Sequence, residues 1–195
     1  MRALVVVAHP DRDSFTHAAA SAAVAALEGA GHSVTTLDLY ADGFAGAMTT
    51  EERRAYHGDR PLRDPMTERH AELVRQAQVL VFVYPTWWTS MPAILVAWLE
   101  RVMVPGVAFV FDEQHRVQPH LQHVVRIVGI STYRSPWWSV KLVHDNGRRS
   151  LLRALGLNAG LTTRRTWLAL YRIDDSTADQ RIAFLQRVDR KLRSL

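Results

Sequence analysis

The 195-residue chain contains no cysteine, which excludes disulfide bonds, cysteine-ligated zinc and thiol catalysis. No apolar run reaches the roughly eighteen residues of a membrane span, because Arg, His or Asp interrupts each one. The first apolar run ends at His9 and is too short for a secretory signal peptide. We therefore expect a protein that does not insert into membranes and that resides in the cytoplasm.

Two common phosphate-binding motifs, GxGxxG and GxxxxGK, are also missing, so a nucleotide bound in either of those ways is not expected. The net charge is +5, from 24 Lys and Arg against 19 Asp and Glu, but no block of five or more like charges occurs. Nucleic-acid binding would require a concentrated basic patch with a recognisable module. We expect none, and interpret the arginines as a solvated surface with room for anionic ligands.

Apolar stretches of strand length alternate with amphipathic stretches of helical period. The predicted strands are 2–8, 32–40, 78–85, 123–132 and 161–170. The first predicted helix begins after Asp13 or Ser14, and the last begins after Ser176 or Thr177. Three others cover 66–77, 90–103 and about 138–155. The connection 41–65 is irregular, with a short helix near 50–56. This alternation predicts an α/β protein with a parallel sheet, in one domain over 1–195.

Three loops, 8–15, 84–91 and 131–138, follow predicted strands and should meet at one edge of the sheet, where ligands bind in such folds. The loop YPTWWTSMP contains Trp87 and Trp88, which cannot both point into one core layer if the segment is extended. Such aromatic side chains suit a flat aromatic ligand. The alternative is that one packs beneath the loop and the other serves a dimer interface. Ser90 is predicted to cap the next helix, with Pro92 in its first turn.

The loop AHPDRDSFTH ends at the start of a helix, where free N–H groups and the helix dipole favour anions. Ser14 and Thr16 would add hydroxyls, and His9 and Arg12 would add charge. The alternative is a capped helix after a turn, with no ligand. His115, His120 and His123 match no metal signature and are interpreted as connection residues, so no metal site is predicted.

The stretches VVVAHPDRDSF (5–15) and YPTWWTSMPAILVAWLERV (84–102) together resemble the flavodoxin-like NAD(P)H:quinone oxidoreductase family. That family includes mammalian quinone reductases, bacterial drug-activity modulators and ancillary oxidoreductases of potassium-efflux systems. The resemblance covers nearly the whole chain. It implies a flavodoxin-like three-layer α/β/α fold with a five-stranded parallel sheet in the order 2-1-3-4-5. It also implies a homodimer that binds a flavin.

The resemblance also implies which residues contact the flavin. The phosphate would be held by the first loop, the isoalloxazine ring would lie along the second loop, and its pyrimidine end would meet the residues after the fourth strand. In that order, the residues carried over are His9, Ser14, Phe15 and Thr16; Pro85, Thr86, Trp87 and Trp88; and Ser131 and Thr132. Tyr133 and Arg134 stand where the family often has two glycines, and would border the pocket.

A second departure concerns proton transfer. The quinone reductases of the family have a Tyr and a His proposed to relay charge, but here WSVKLVH places Trp138 at the tyrosine position and His144 at the histidine position. Indole has no titratable hydroxyl, so the relay cannot operate as such. We therefore name His144 as the candidate proton donor, with Tyr133 as a nearby phenol. The alternative for His144 is a surface helix histidine beside Asp145.

The implied reaction has two steps in one site: NAD(P)H delivers hydride to the flavin, and a quinone or other flat acceptor then takes its place. The chain lacks the C-terminal extension that helps to hold FAD in the mammalian members, so FMN is slightly preferred over FAD. One alternative is a flavin-binding ancillary partner of a membrane transporter with secondary oxidoreductase activity. Another is a flavodoxin-like domain that has lost flavin or turnover and serves as an interaction module.

Overall fold

In the computed structural model, which describes residues 1–58 and 60–195, the chain forms seven strands. They are β1 Arg2–Val7, β2 Ser33–Asp38, β3 Val79–Pro85, β4 Phe109–Phe111, β5 Val117–Pro119, β6 Arg126–Tyr133 and β7 Arg164–Tyr171. Five of them form a parallel sheet in the order β2-β1-β3-β6-β7. Counting only the strands of this sheet, the order is 2-1-3-4-5, which confirms the expected flavodoxin-like topology. The antiparallel pair β4–β5 was not predicted.

The helices agree with the predicted ones in number and approximate position, with one helical stretch divided. They are α1 Phe15–Gly29, α2 Thr50–Ala55, α3 Pro65–Gln76, α4 Ala93–Val102, α5 Trp137–Leu142, α6 Asn146–Arg149 and α7 Ala178–Arg193. A π-helical segment, Ser150–Leu155, continues α6, and a 3-10 turn, Ile173–Asp175, precedes α7. Position 59, within the predicted connection, lies outside the described residues. No helix in the described part of the chain is both long and apolar enough to span a bilayer.

The sheet is buried on both faces because its strands are apolar at successive positions. In β1, Leu4 and Val6 face the core formed with α3 and α4, while Val5 and Val7 face the core formed with α1 and α7. Continuous apolar strands such as β3, in which all seven residues are buried, are typical of parallel sheets covered on both sides. The three-layer α/β/α arrangement follows from these two cores.

The N-termini of the helices confirm two capping predictions and contradict a third. Ser14 caps α1 by accepting a hydrogen bond from the His17 N–H at 3.4 Å, and Thr177 caps α7, both as predicted. The prediction for Ser90 was wrong: α4 begins at Ala93, and Pro92 occupies the N-cap without a side-chain hydrogen bond. The cause is that the Ser90 backbone closes a tight turn with Trp87 instead.

A buried ion-pair cluster fixes the connection between β2 and α3. Arg101 of α4 is 5% exposed and donates to the Glu52 carboxylate at 2.6 and 2.9 Å and to Asp64 at 3.0 Å. Its guanidinium also lies 5.0 Å from the centre of the Phe44 ring. Burial alone would raise the pKa of Glu52, but hydrogen bonds from Arg101 and from the Thr49 N–H lower it overall. This cluster was not predicted.

We expect Arg101→Met to lower the free energy of unfolding by about 3–5 kcal/mol, because it leaves the buried Glu52 carboxylate without its partner. Urea denaturation at neutral pH measures the change. The control is Arg75→Met on α3, which removes two exposed ion pairs, with Glu68 and Glu72, and should cost less than about 1 kcal/mol. Equal losses for the two variants would show that the buried cluster does not hold the connection in place.

Candidate functional site

A cleft opens where the loops after β3 and β6 meet at the carboxyl edge of the sheet. Its volume is about 610 Å³. Its walls come from three regions, the loop after β3, the end of β6 with α5, and the 3-10 turn before α7. The lining residues are Pro85, Thr86, Trp87, Trp88, Thr89, Thr132, Tyr133, Arg134, Ser135, Ser139, Val140, Val143, Ile173 and Asp174. The position at the strand ends is the one expected for a ligand site in this architecture.

The two tryptophans of the second loop lie in a tight turn rather than in the core. Trp87 and Ser90 exchange both backbone hydrogen bonds, at 2.9 and 3.1 Å. Trp88 and Thr89 between them have φ values of 49° and 59°, the left-handed region that two-residue turns of this type require. This backbone carries Trp88 into solvent, where it is 98% exposed, and leaves Trp87 partly covered. The prediction that the pair would not share one core layer is consistent with this turn.

The first loop contacts the second through an aromatic pair. The His9 ring lies 5.7 Å from the Trp87 ring, and its Nδ1 accepts a hydrogen bond from the Asp11 N–H at 3.0 Å. At the start of α1, Ser14 is partly buried, the Phe15 ring packs against Phe184 of α7, and Thr16 is buried. None of the first-loop residues lines the cleft itself, so this loop adjoins the site through Trp87.

Thr86, Ser131 and Thr132 connect the loop after β3 to β6. The Thr86 N–H donates to the Thr132 carbonyl at 2.8 Å, and the hydroxyl oxygens of Thr86 and Ser131 lie 2.9 Å apart. Ser131 is 1% exposed and belongs to the support of the cleft rather than its lining. These contacts hold the Trp87–Ser90 turn against the end of β6.

Beneath the cleft lies a buried polar cluster that the sequence did not indicate. The Tyr133 hydroxyl donates to the Asp145 carboxylate at 2.9 Å, and the Tyr133 ring stacks on Tyr171 with 4.8 Å between ring centres. Burial raises the pKa of the Asp145 carboxyl, although the Tyr133 hydrogen bond and the charge of Arg148 act in the opposite direction. The pKa of Tyr133 is raised in turn, chiefly by burial and then by the Asp145 charge.

The backbone around Asp145 is unusual. His144 and Asp145 have φ values of 67° and 44°, so two consecutive residues with side chains adopt the left-handed region. Gly147 follows, and a Cβ there would lie 2.9 Å from the Tyr84 hydroxyl, so only glycine permits this approach of α6 to β3. The Tyr84 hydroxyl is buried and has no hydrogen-bond partner in residues 1–58 and 60–195. Strained backbone and unsatisfied polar groups are concentrated at functional sites.

The remaining candidates lie around the cleft. His144 is exposed in the connection between α5 and α6, not within a helix, and it lines a neighbouring pocket. Arg134 lines the cleft rim, mostly exposed, and pairs with Asp174 at 3.2 Å. Trp138 is 60% exposed on α5 and does not line the cleft.

Sequence reasoning missed several cleft residues because they come from segments without a motif. Val140 and Val143 of the α5 region and Ile173 before α7 reach the cleft only through packing of these segments. A larger cavity of about 740 Å³ lies between β7 and α7, but it is away from the three loops. In the described part of the chain, no three His, Asp or Glu side chains are grouped so that they could hold a metal ion.

Comparison with known proteins places this geometry in a family. The family model described as "Flavodoxin-like fold" matches residues 1–141. The chain belongs to this family. Among curated proteins, NAD(P)H dehydrogenase [quinone] 1 of Cavia porcellus is 33% identical over 163 residues, which cover 74% of this chain and 58% of that protein. The resemblance inferred from the two loop motifs is thereby confirmed.

Solved structures share the whole fold. The structure of Smu.1420 from Streptococcus mutans UA159 has a TM-score of 0.85 at 27% identity, with full coverage of both chains. An FMN-dependent NADH-azoreductase from Bacillus anthracis str. Ames Ancestor, solved in complex with FMN, has a TM-score of 0.74 at 14% identity, and the match covers 99% of this chain and 96% of that one. At that identity the second likeness concerns the fold alone.

The residues of this flavodoxin-like chain fit a flavin at two places. The cleft offers the exposed faces of two tryptophans, and the N–H groups of Trp88 and Thr89 have no acceptor within residues 1–58 and 60–195. At α1, the N–H groups of Phe15 and Thr16 lie in the first turn, where a helix leaves them without intrahelical acceptors. A flat ring with polar edges matches the first place, and a phosphate group matches the second.

We expect the gain in stability of Asp145→Asn over the parent protein to be larger at pH 7–8 than at pH 4. The pKa of the Asp145 carboxyl is raised in the folded state. The carboxyl therefore contributes fully to the free energy of unfolding below the unfolded-state pKa, about 3.9, and this contribution is lost as the pH rises through the folded-state pKa. Asparagine keeps an acceptor for Tyr133 and tolerates the left-handed backbone. Thermal unfolding midpoints at pH 4, 6 and 8 measure the difference between variant and parent.

The control for this prediction is Glu113→Gln, which removes one exposed carboxylate from the β4–β5 turn. It separates the effect of Asp145 from the effect of removing any one carboxylate. A difference between Asp145→Asn and the parent that does not grow with pH would show that the Asp145 charge is not costly in the folded state.

Proposed function

We propose that this chain is a flavin-dependent NAD(P)H oxidoreductase that reduces quinone-like acceptors. The observation that carries the proposal is the cleft at the carboxyl edge of the sheet, walled by the Trp87–Ser90 turn on one side and by Thr132 and Tyr133 on the other. The curated relatives named as quinone dehydrogenases support the activity, although the aligned region spans 58% of the length of the Cavia porcellus protein. The proposal treats residues 1–195 as one flavodoxin-like domain.

The protein groups have separate roles in this proposal. Trp87 and Trp88 present flat apolar faces to the ring, while Pro85 and Thr86 hold the turn at the end of β3. The N–H groups of Trp88 and Thr89 are donors for the polar edge of the ring. Ser131 and Thr132 support this edge from β6. His9, Ser14, Phe15 and Thr16 provide the start of α1 to the cofactor phosphate.

A bound flavin supplies the hydride chemistry between NAD(P)H and the acceptor. The chain then has to provide or hold the proton that the reduced acceptor needs. His144, which lines the pocket beside the cleft, is the proposed donor, and Tyr133 is the phenol that lines the cleft itself. Because the Tyr133 hydroxyl already donates to Asp145, Tyr133 positions the cleft floor and the connection that carries His144. Arg134 borders the rim, where its ion pair with Asp174 joins the end of β6 to the turn before α7.

FMN is the preferred cofactor in this proposal, and FAD is the alternative. The flavin-binding experiment described below distinguishes the two. An FMN-containing neighbour of the same fold is compatible with this preference. We further propose a homodimer, because α5 exposes Trp137, Trp138 and Leu142 beside the cleft, and exposed apolar groups of this size favour an interface. The proposed setting is the cytoplasm, without nucleic acid as a partner.

We expect the purified protein to retain about one equivalent of FMN or FAD, seen as flavin absorbance, and to lose that absorbance when NADPH or NADH is added without oxygen. Trp87→Leu should weaken flavin binding roughly 3- to 10-fold, because an aromatic contact contributes about 0.5–1.5 kcal/mol beyond its buried area. Titration followed by flavin fluorescence measures the affinity.

The matched control is Phe111→Leu, at a similarly exposed aromatic residue of β4 that does not line the cleft, and it should leave the affinity unchanged. Failure of both flavins to bind the parent protein would overturn the proposed function, and the tryptophans would then belong to an interface.

We expect His144→Gln to lower kcat with a quinone roughly 10²-fold while flavin retention is unchanged, because glutamine cannot deliver a proton as imidazole does. The pH profile of kcat should lose one limb at the same time. His120→Gln, at another exposed histidine, is the control. An unchanged kcat and pH profile would exclude His144 as the donor.

A further inference from the structure

A second pocket, of about 470 Å³, lies next to the cleft and is strongly basic. The two pockets share Val140, and the Tyr133–Asp145 hydrogen bond joins the floor of the cleft to the lining of the second pocket. The basic residues that line the second pocket are Lys141, His144, Arg148, Arg149 and Arg153. We call it the arginine pocket.

The arginine pocket has more positively charged groups than carboxylates in its lining. Across residues 1–58 and 60–195, Arg148, Arg149 and Arg153 form no ion pair with a carboxylate. Lys141 lies 4.5 Å from the centre of the Trp137 ring, which leaves its charge intact. The one acidic residue of the lining, Asp145, is 8% exposed and hydrogen-bonded to Tyr133. A cluster of exposed guanidinium groups with one carboxylate among them favours an anion.

The backbone that forms the arginine pocket is the strained segment described above. The left-handed residues His144 and Asp145 reverse the chain between α5 and α6, and the π-helical segment follows directly. π-helical turns are rare and frequent at functional sites. Arg149 and Arg153, four residues apart along this helical stretch, both line the pocket. Backbone strain and several positive charges therefore occur together in one short segment, which is expected at a binding site.

We propose that the arginine pocket binds a phosphate group, and that this group is the 2′-phosphate of NADPH. The proposal rests on the proposed function, since it makes the pocket the distal part of the NAD(P)H site. Guanidinium groups pair with phosphate through two parallel hydrogen bonds, and phosphate monoesters carry close to two negative charges at neutral pH. NADH lacks this phosphate, so the arginine pocket would make the enzyme prefer NADPH.

The first test is calorimetric binding of 2′,5′-ADP and 5′-AMP to the flavin-loaded protein, which needs no turnover. We expect 2′,5′-ADP to bind at least tenfold more tightly, and Arg149→Gln or Arg153→Gln to reduce this advantage about tenfold or more, as for the loss of a hydrogen bond to a charged group. Arg69→Gln, at an exposed arginine of α3, is the matched control and should retain the advantage. The advantage should also decrease with added salt.

Competition with inorganic phosphate and pyrophosphate distinguishes a pocket for free anions from a pocket for the 2′-phosphate of NADPH. If either competes as tightly as 2′,5′-ADP, the pocket binds free anions and the assignment to NADPH is overturned. Equal affinities for 2′,5′-ADP and 5′-AMP, with no response to the arginine substitutions, would overturn the phosphate site altogether.

The second test is the ratio of kcat/KM for NADPH to that for NADH, which should fall about tenfold or more in Arg149→Gln and Arg153→Gln but not in Arg69→Gln. A ratio near one in the parent protein would contradict the inference while leaving the oxidoreductase proposal intact. If instead the protein holds no flavin and oxidises neither dinucleotide, the proposed function fails, and calorimetry on the flavin-free protein still decides whether the arginine pocket binds phosphate.

Discussion

The burial of β3 on both faces, together with its pairing to β1 and β6, is the constraint on which the other elements depend. A strand with no exposed residue needs helices on both sides, which fixes α1 and α7 on one face and α3 and α4 on the other. Parallel pairing then places the ends of β1, β3 and β6 at the same edge. The loops need no further contact to meet there, so the position of the cleft follows from the apolar composition of the strands.

How much of this could be predicted differs between the sheet and the connections. The five sheet strands and the main helices follow from apolar runs and helical period, which are local signals. The β4–β5 hairpin escaped prediction because its strands have three residues each and its turn uses His115 in the left-handed region instead of an Asn-Gly or Asp-Gly pair. Arg101 and Glu52 escaped because a charge on an amphipathic helix gives no sign in the sequence that its partner is 49 residues away.

The candidate site shows the same division. The Trp87–Trp88 loop was recognisable because tryptophans, proline and a preceding buried strand together are uncommon and sit where ligands bind. Tyr133 was named from a departure at a family position, yet its partner Asp145 was not, because the two are brought together by a chain reversal through left-handed residues that have no glycine to mark it. Sequence patterns reflect the backbone conformations that residues favour. The Tyr133–Asp145 contact instead requires His144 and Asp145 to adopt the left-handed conformation, which they disfavour.

The connection around Asp145 combines several unfavourable features. An unsatisfied Tyr84 hydroxyl, a buried Asp145 carboxyl with a raised pKa and two left-handed residues each reduce stability, and all lie in or beside one connection. Other buried polar atoms of the described chain, in His32, His70 and Trp167, also lack a hydrogen-bond partner, whereas the Arg101–Glu52 pair is satisfied. Strained backbone and buried polar groups that are concentrated in one connection motivate the ligand sites proposed on either side of it, of which one is lined by tryptophans and the other by arginines.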